Sequence, residues 1–94
     1  MQTFHKIVIA DAEPTKHTVA GRFIGECHTA FQRGELCIWY AVDTHEPEEE
    51  IEVIVIGTGH KIPEGWNPAD HAGSALTENG NFVWHVLVRG VENG

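Results

Sequence analysis

The chain is short of basic charge, of cysteine and of long apolar runs, and each shortage excludes something. Six Lys and Arg stand against fourteen Asp and Glu among 94 residues, a formal net charge of -8. Such a surface repels a phosphate backbone instead of releasing its counterions, so long nucleic acid is not expected as a main partner. No apolar stretch approaches the roughly eighteen residues of a membrane span, and the opening M-Q-T-F-H-K lacks the basic-then-apolar pattern of a secretory signal. The expected location is the cytoplasm. Length leaves room for one domain, 1-94, with frayed residues from 90 onward.

The two cysteines, Cys27 and Cys37, allow at most one bridge. They flank the Arg33-Gly34 dipeptide. If this is a two-residue turn, Gln32 faces Glu35, Cys27 faces Tyr40 and Cys37 faces Ala30, a separation too large for a disulfide. Free buried thiols are therefore expected, in keeping with a reducing compartment. Seven histidines are present, His5, His17, His28, His45, His60, His71 and His85, but none stands in an H-x-H or H-E-x-x-H spacing, and the cysteines form no C-x-x-C. No metal or other cofactor is expected. A G-x-S-x-G elbow is also missing, and Glu48 to Glu50 read as a charge run, not a catalytic carboxylate pair.

Helical periodicity is missing too, and what replaces it is strand-like. Thr3 to Ala10 reads as a first strand, with a weaker one through His17, Thr18 and Val19. Phe23 to Gln32 and Glu35 to Thr44 read as a long hairpin. After the charged loop T-H-E-P-E-E-E comes the apolar run I-E-V-I-V-I from Ile51. The segment from Ile62 to His71 holds Pro63, Gly65 and Pro68, enough breakers to limit it to a single helical turn. The chain closes on a second hairpin, Ala72 to Glu78 and Asn81 to Arg89, with Asn79-Gly80 suited to a type I′ turn. On its last arm Phe82, Trp84, Val86 and Val88 share one face, and Val83, His85, Leu87 and Arg89 the other. The expected fold is an all-β sandwich or partly open barrel of six to seven mostly antiparallel strands, with strands 36-43, 51-57 and 82-89 at its centre. Strands 36-43 and 51-57 are apolar on both faces, and so short a chain offers too few elements to cover both. A homo-oligomer is expected to bury the second face.

The stretch G-T-G-H-K-I-P, 57-63, is the candidate site. Gly57 and Gly59 free the backbone amides from side-chain bulk, and Thr58, His60 and Lys61 surround them with donors. Lys61 supplies a compact positive charge on an otherwise acidic protein. Trp66, in the loop that follows, either offers a face to a base or plugs the sheet end. Arg22 and Arg89 are weaker candidates, contributed by a neighbouring subunit. The bland alternative is that the glycines only let the chain leave a sheet edge, with His60 capping a loop carbonyl. His85 falls opposite Ser74 if the Asn79-Gly80 loop has two residues, which resembles half of a nucleophilic dyad but lacks an orienting acid. Trp39 and Trp84 fall on strands and read as core.

Three pieces, L-C-I-W-Y-A-V-D at 36-43, G-T-G-H-K-I-P at 57-63 and F-V-W-H-V at 82-86, are similar to a small domain-of-unknown-function family encoded in bacteriophages, prophages and plasmids. The resemblance spans most of the chain. It departs from the family at Thr44, where a proline is usual, and at His71-Ala72, where a tyrosine or isoleucine leads into the penultimate strand. The resemblance implies a mobile-element protein and carries no established activity. Two functional classes follow as expectations. One is a non-enzymatic anti-defence protein that sequesters a small nucleotide-derived immune signal. The other is a protein inhibitor of a host defence complex, or, behind it, a small histidine-dependent phosphoesterase.

Overall fold

The computed structural model describes residues 1-77 and 79-91, the side chains of 26 and 27 excepted. Seven strands are described: β1 (Gln2–Ile9), β2 (Thr15–Val19), β3 (Arg22–Gln32), β4 (Glu35–Asp43), β5 (Glu49–Gly57), β6 (His71–Leu76) and β7 (Val83–Gly90), with one 3-10 turn at Pro68–Asp70 before β6. They form two antiparallel sheets, ordered β1-β4-β3 and β2-β5-β7-β6. The fold is thus the all-β sandwich that the strand pattern predicts, and the three strands expected at its centre, β4, β5 and β7, are the interior ones.

Alternation along each strand builds the space between the sheets. Ile7, Ile9, Leu36, Ile38, Tyr40 and Val42 from the first sheet meet Val19, Ile51, Val53, Ala75 and Val86 from the second. Phe23 stacks on Tyr40 with ring centroids 5.3 Å apart. Burial within this layer raises the Tyr40 hydroxyl above its ordinary pKa of 10.0. The chain passes between sheets after β2 at Gly21, whose φ is +148° and whose added Cβ would lie 2.2 Å from the Asp43 carbonyl oxygen. No other residue fits that crossing.

Both hairpins have the expected pairing beside their turns, but only the first has the turn expected to set it. Arg33 and Gly34 have φ of +52° and +79°, the pair of positive values that a type I′ turn requires. Gln32 accordingly pairs with Glu35 and Cys37 with Ala30. The expected register fails further out, because bulges between Glu26 and His28 and between Phe23 and Gly25 place Glu26, not Cys27, opposite Tyr40. Cys37 is a free buried thiol, and the Cys27 side chain lies outside the described residues. In the second hairpin Ser74 pairs with His85, Ala75 with Trp84 and Leu76 with Val83, as expected. The two-residue Asn79-Gly80 turn expected between them is corrected: Thr77 N–H donates to Phe82 O at 2.9 Å and Gly80 N–H to Thr77 O at 2.8 Å, so the hairpin closes at Thr77 and Phe82 through a longer loop that keeps the same register, with Gly80 at φ +75°.

One expectation is corrected here. The apolar outer face of β5 does not wait for another subunit, because the chain folds its own 58-70 loop across it. Ile62 and Trp66 pack on buried Ile54, Ile56 and Leu87. Keeping such side chains from water is worth about 1.5–3 kcal/mol each. The loop is also fastened. The Arg89 guanidinium donates to Glu52 Oε1 from Nε at 2.9 Å and from Nη2 at 2.6 Å, and from Nη1 to Gly65 O at 2.6 Å. Its Cζ lies over the Trp66 ring, 4.0 Å from the centroid. Pro68–Asp70 then delivers the loop into β6 through a reciprocal cap: Asn67 Oδ1 accepts from Ala69 N–H, and Asp70 Oδ2 accepts from Asn67 N–H. No helix among the described residues is long and apolar enough to cross a membrane.

Candidate functional site

Strand β5 ends at Gly57, which pairs with Trp84. A Cβ at Gly57 would lie 3.2 Å from the Trp84 ring and 3.4 Å from the His60 imidazole, so a side chain at this position would push the two rings off the backbone. Beyond it the chain reverses, with His60 N–H donating to Gly57 O at 3.1 Å and Gly59 at φ +89°. The second strand of the pair supplies the opposite wall. Together Gly57, Thr58, His60, Asn81, Phe82, Val83 and Trp84 line an open cavity of about 560 Å³. That volume falls within the roughly 300–1,000 Å³ typical of small-molecule sites. Its wall is largely apolar, with Phe82 61% exposed at the rim and the Thr58 hydroxyl, the His60 ring and Asn81 as its polar groups. Trp84 also lines a smaller cavity of about 160 Å³ with Ile9, Phe31, Leu36 and Val55, so its ring reaches both openings at this end of the sandwich.

Of the residues expected in the site, Gly57, Thr58 and His60 gather here and Gly59 forms their turn. The others go elsewhere. Lys61 is exposed and does not line the cavity; no ion pair engages it among the described residues. Trp66 takes the second of its two readings: it plugs the outer face of β5 and β7, and the Arg89 guanidinium occupies its ring face. Arg89 is committed to Glu52 and Gly65 of its own chain. Arg22 begins β3 in the opposite sheet, paired with Asp43.

His85 belongs to a second constellation that shares Thr58 with the first. Thr58 Oγ1 lies 2.7 Å from His85 Nε2, His85 Nδ1 lies 2.7 Å from Ser74 Oγ, and Ser74 Oγ lies 2.9 Å from His71 Nε2. The Thr58 hydroxyl also donates to Val83 O at 3.3 Å. A hydroxyl has one hydrogen to give, so Thr58 then accepts from His85 Nε2–H, His85 Nδ1 accepts from the Ser74 hydroxyl, and Ser74 accepts from His71 Nε2–H. The two rings stand 5.8 Å apart beside a cavity of about 310 Å³ walled by Ile56, Ile62, Pro68 and Leu87. The Ser-His pairing is the one expected from the hairpin, but the group at the far imidazole nitrogen is a threonine hydroxyl, not an acid.

Sequence reasoning missed Asn81, Phe82, Val83 and Trp84 as cavity walls, and His71 as a member of the row. Trp84 reads as core from alternation alone, and only the long-range pairing of β5 with β7 puts it beside Gly57. His71 and Ser74 are three apart, which in a regular strand points them to opposite faces; a bulge between His71 and Gly73 brings them together.

Fold and site define a small two-sheet sandwich with an aromatic, turn-lined cavity at one end. The chain belongs to the family described as Domain of unknown function (DUF7352), which matches residues 1–94. No curated protein and no solved structure matches it.

Proposed function

We propose that this protein binds, without turning over, a small anionic ligand bearing a planar ring, and that the ligand is a nucleotide-derived immune signal withdrawn from host defence on behalf of a phage or other mobile element. The observation that carries the binding is the cavity between the Gly57–His60 turn and Phe82–Trp84, where aromatic surface, a hydroxyl and an imidazole meet at one opening. Aromatic faces stack on any base, which supports a ring-bearing ligand. Lys61, next to His60 and outside any described ion pair, supports an anionic one. The mobile-element setting rests on the resemblance of the three sequence pieces to a family found on such elements.

The test is uptake and release. The purified protein is incubated with a panel of cyclic and linear nucleotides, washed, heated and the supernatant chromatographed. An intact nucleotide returned in stoichiometric amount is expected. A cleaved product overturns the non-catalytic reading, and no uptake across the panel overturns the ligand class.

A further inference from the structure

Thr58 has no hydrogen left for the cavity it lines. Its N–H and its hydroxyl both donate to Val83 O, each at 3.3 Å, and its oxygen accepts from His85 Nε2–H at 2.7 Å. A hydroxyl carries one hydrogen and two lone pairs, so a guest is offered a lone pair only. Reversing the row through His85 does not change this, since the hydrogen then goes to His85 Nε2. Resting on the reading above, that a nucleotide occupies this cavity, we propose that its base carries an exocyclic amino group and donates one of the amino hydrogens to Thr58 Oγ1.

Position and chemistry select the base and its amino group. Thr58 is fastened to Val83, and Phe82 and Trp84 precede and follow Val83 in the same wall. A base stacked against that wall brings an edge toward Thr58, and its exocyclic group projects furthest from the ring. An amino group there has a hydrogen for Thr58 and a second one for the Asn81 carboxamide oxygen or the His60 ring, both in the same lining. A carbonyl oxygen in its place sets lone pair against lone pair and leaves both without a partner. Phosphate oxygens only accept, so the phosphate is kept out of this corner for the same reason. It lies outside, where Lys61 is exposed beside His60 and away from the lining. A site that takes a hydrogen bond from a ligand N–H discriminates against the analogue that lacks it, because the protein acceptor is then left unpaired.

Equilibrium dialysis of the full chain against matched nucleotides tests this, AMP against IMP and CMP against UMP, each in linear and cyclic form. Within a pair the size and charge are the same, and a carbonyl oxygen replaces the amino group. The amino member is expected to be held about tenfold more tightly or better. Deoxy-AMP should match AMP, which separates the base from the ribose hydroxyls. Thr58→Ser should keep the preference, and Thr58→Val, similar in shape but without the hydroxyl, should lose it. Should Thr58→Val fail to fold, the pairs measured on the parent decide alone. Equal retention within the pairs, tighter binding of the carbonyl member, or a preference that survives in folded Thr58→Val overturns this inference and leaves nucleotide binding standing. Retention of neither member of any pair overturns the reading on which it rests, and this inference with it.

Discussion

The two outer faces of this sandwich meet the same problem and answer it differently. Each lies on a sheet whose interior strands are apolar on both sides. On the β5-β7 side the chain spends thirteen residues, 58-70, on a strap that buries Ile54, Ile56 and Leu87, and fastens it with Arg89. On the β4 side it spends none, and instead keeps the residues beside Trp39 small. A small protein can silence one apolar face with its own loop, at the cost of committing a half-buried ion pair to hold the loop down. Doing so twice would take more chain than 94 residues leave after seven strands.

The contrast breaks most sharply at Leu87. Leu87→Ala should destabilise the fold by about 2–5 kcal/mol in urea unfolding, because the strap and sheet cannot collapse fully onto the missing side chain. Val8→Ala on the bare face should stay within about 0.5 kcal/mol in the dilute monomer. Comparable losses at the two positions would mean that the faces are equally covered. Next in size is the fastening. Arg89→Ala should cost about 2–3 kcal/mol, since it leaves Glu52 without its partner, frees the Gly65 carbonyl and uncovers Trp66. Amide hydrogen exchange should quicken across 58-70 while β4 stays protected. Arg89→Lys should recover little of it, because an ammonium cannot supply the fork and the stacking plane at once.

A smaller effect sharpens the comparison through pH. His17, on edge strand β2 of the strapped sheet, is bonded to Thr15 Oγ1 at 2.8 Å, and burial lowers its pKa from the ordinary 6.5. The unfolded chain therefore takes up this proton at higher pH than the folded one. The contribution of His17 to stability is complete above about pH 6.5 and is lost as pH falls below it. His17→Gln should flatten that part of the stability profile relative to the parent, and identical slopes would show that the group does not contribute. The smallest effect on stability belongs to the candidate site. His60→Ala should leave the melting temperature nearly unchanged while weakening nucleotide retention roughly tenfold or more, the equivalent of one lost hydrogen bond, and Lys61→Ala, outside the cavity lining, should weaken it less. Unfolding of His60→Ala would instead make the turn scaffolding.

How much of this was legible beforehand depends on range along the chain. The Arg33-Gly34 turn fixes its register locally, so the Cys37–Ala30 pair could be derived from spacing; the Ser74–His85 pair was reached from an Asn79-Gly80 turn that is replaced by a longer loop centred on the same point. Apolar content on both faces identified the interior strands. Bulges were invisible, because an extra residue in a strand leaves the hydrophobic alternation ambiguous, and with them went the Cys27 register and the placement of His71. The strap was invisible for another reason. Pro63, Gly65 and Pro68 announce an irregular loop, but nothing local says that it turns back over Leu87, some twenty residues further on. Trp66 was therefore offered to a ligand when its ring was already taken by Arg89. In the site itself the glycine turn was legible, and the aromatic wall opposite was not.

The row from His71 to Thr58 has a consequence at the cavity. Its hydrogens run in one direction, from His71 through Ser74 and His85 to Thr58 and on to Val83 O. Run backwards, the chain is complete as well, except for the 3.3 Å bond to Val83 O. Intermediate arrangements set two hydrogens or two lone pairs against each other, so the row behaves as a two-position register and not as four independent groups. Thr58 is its end in the cavity and His71 its end in solvent. A guest that accepts the Thr58 hydrogen holds the register one way, and a guest that donates to Thr58 while its hydrogen points at His85 holds it the other. What occupies the turn is thereby written as the tautomer of His71, where nitrogen chemical shifts can read it without touching the ligand.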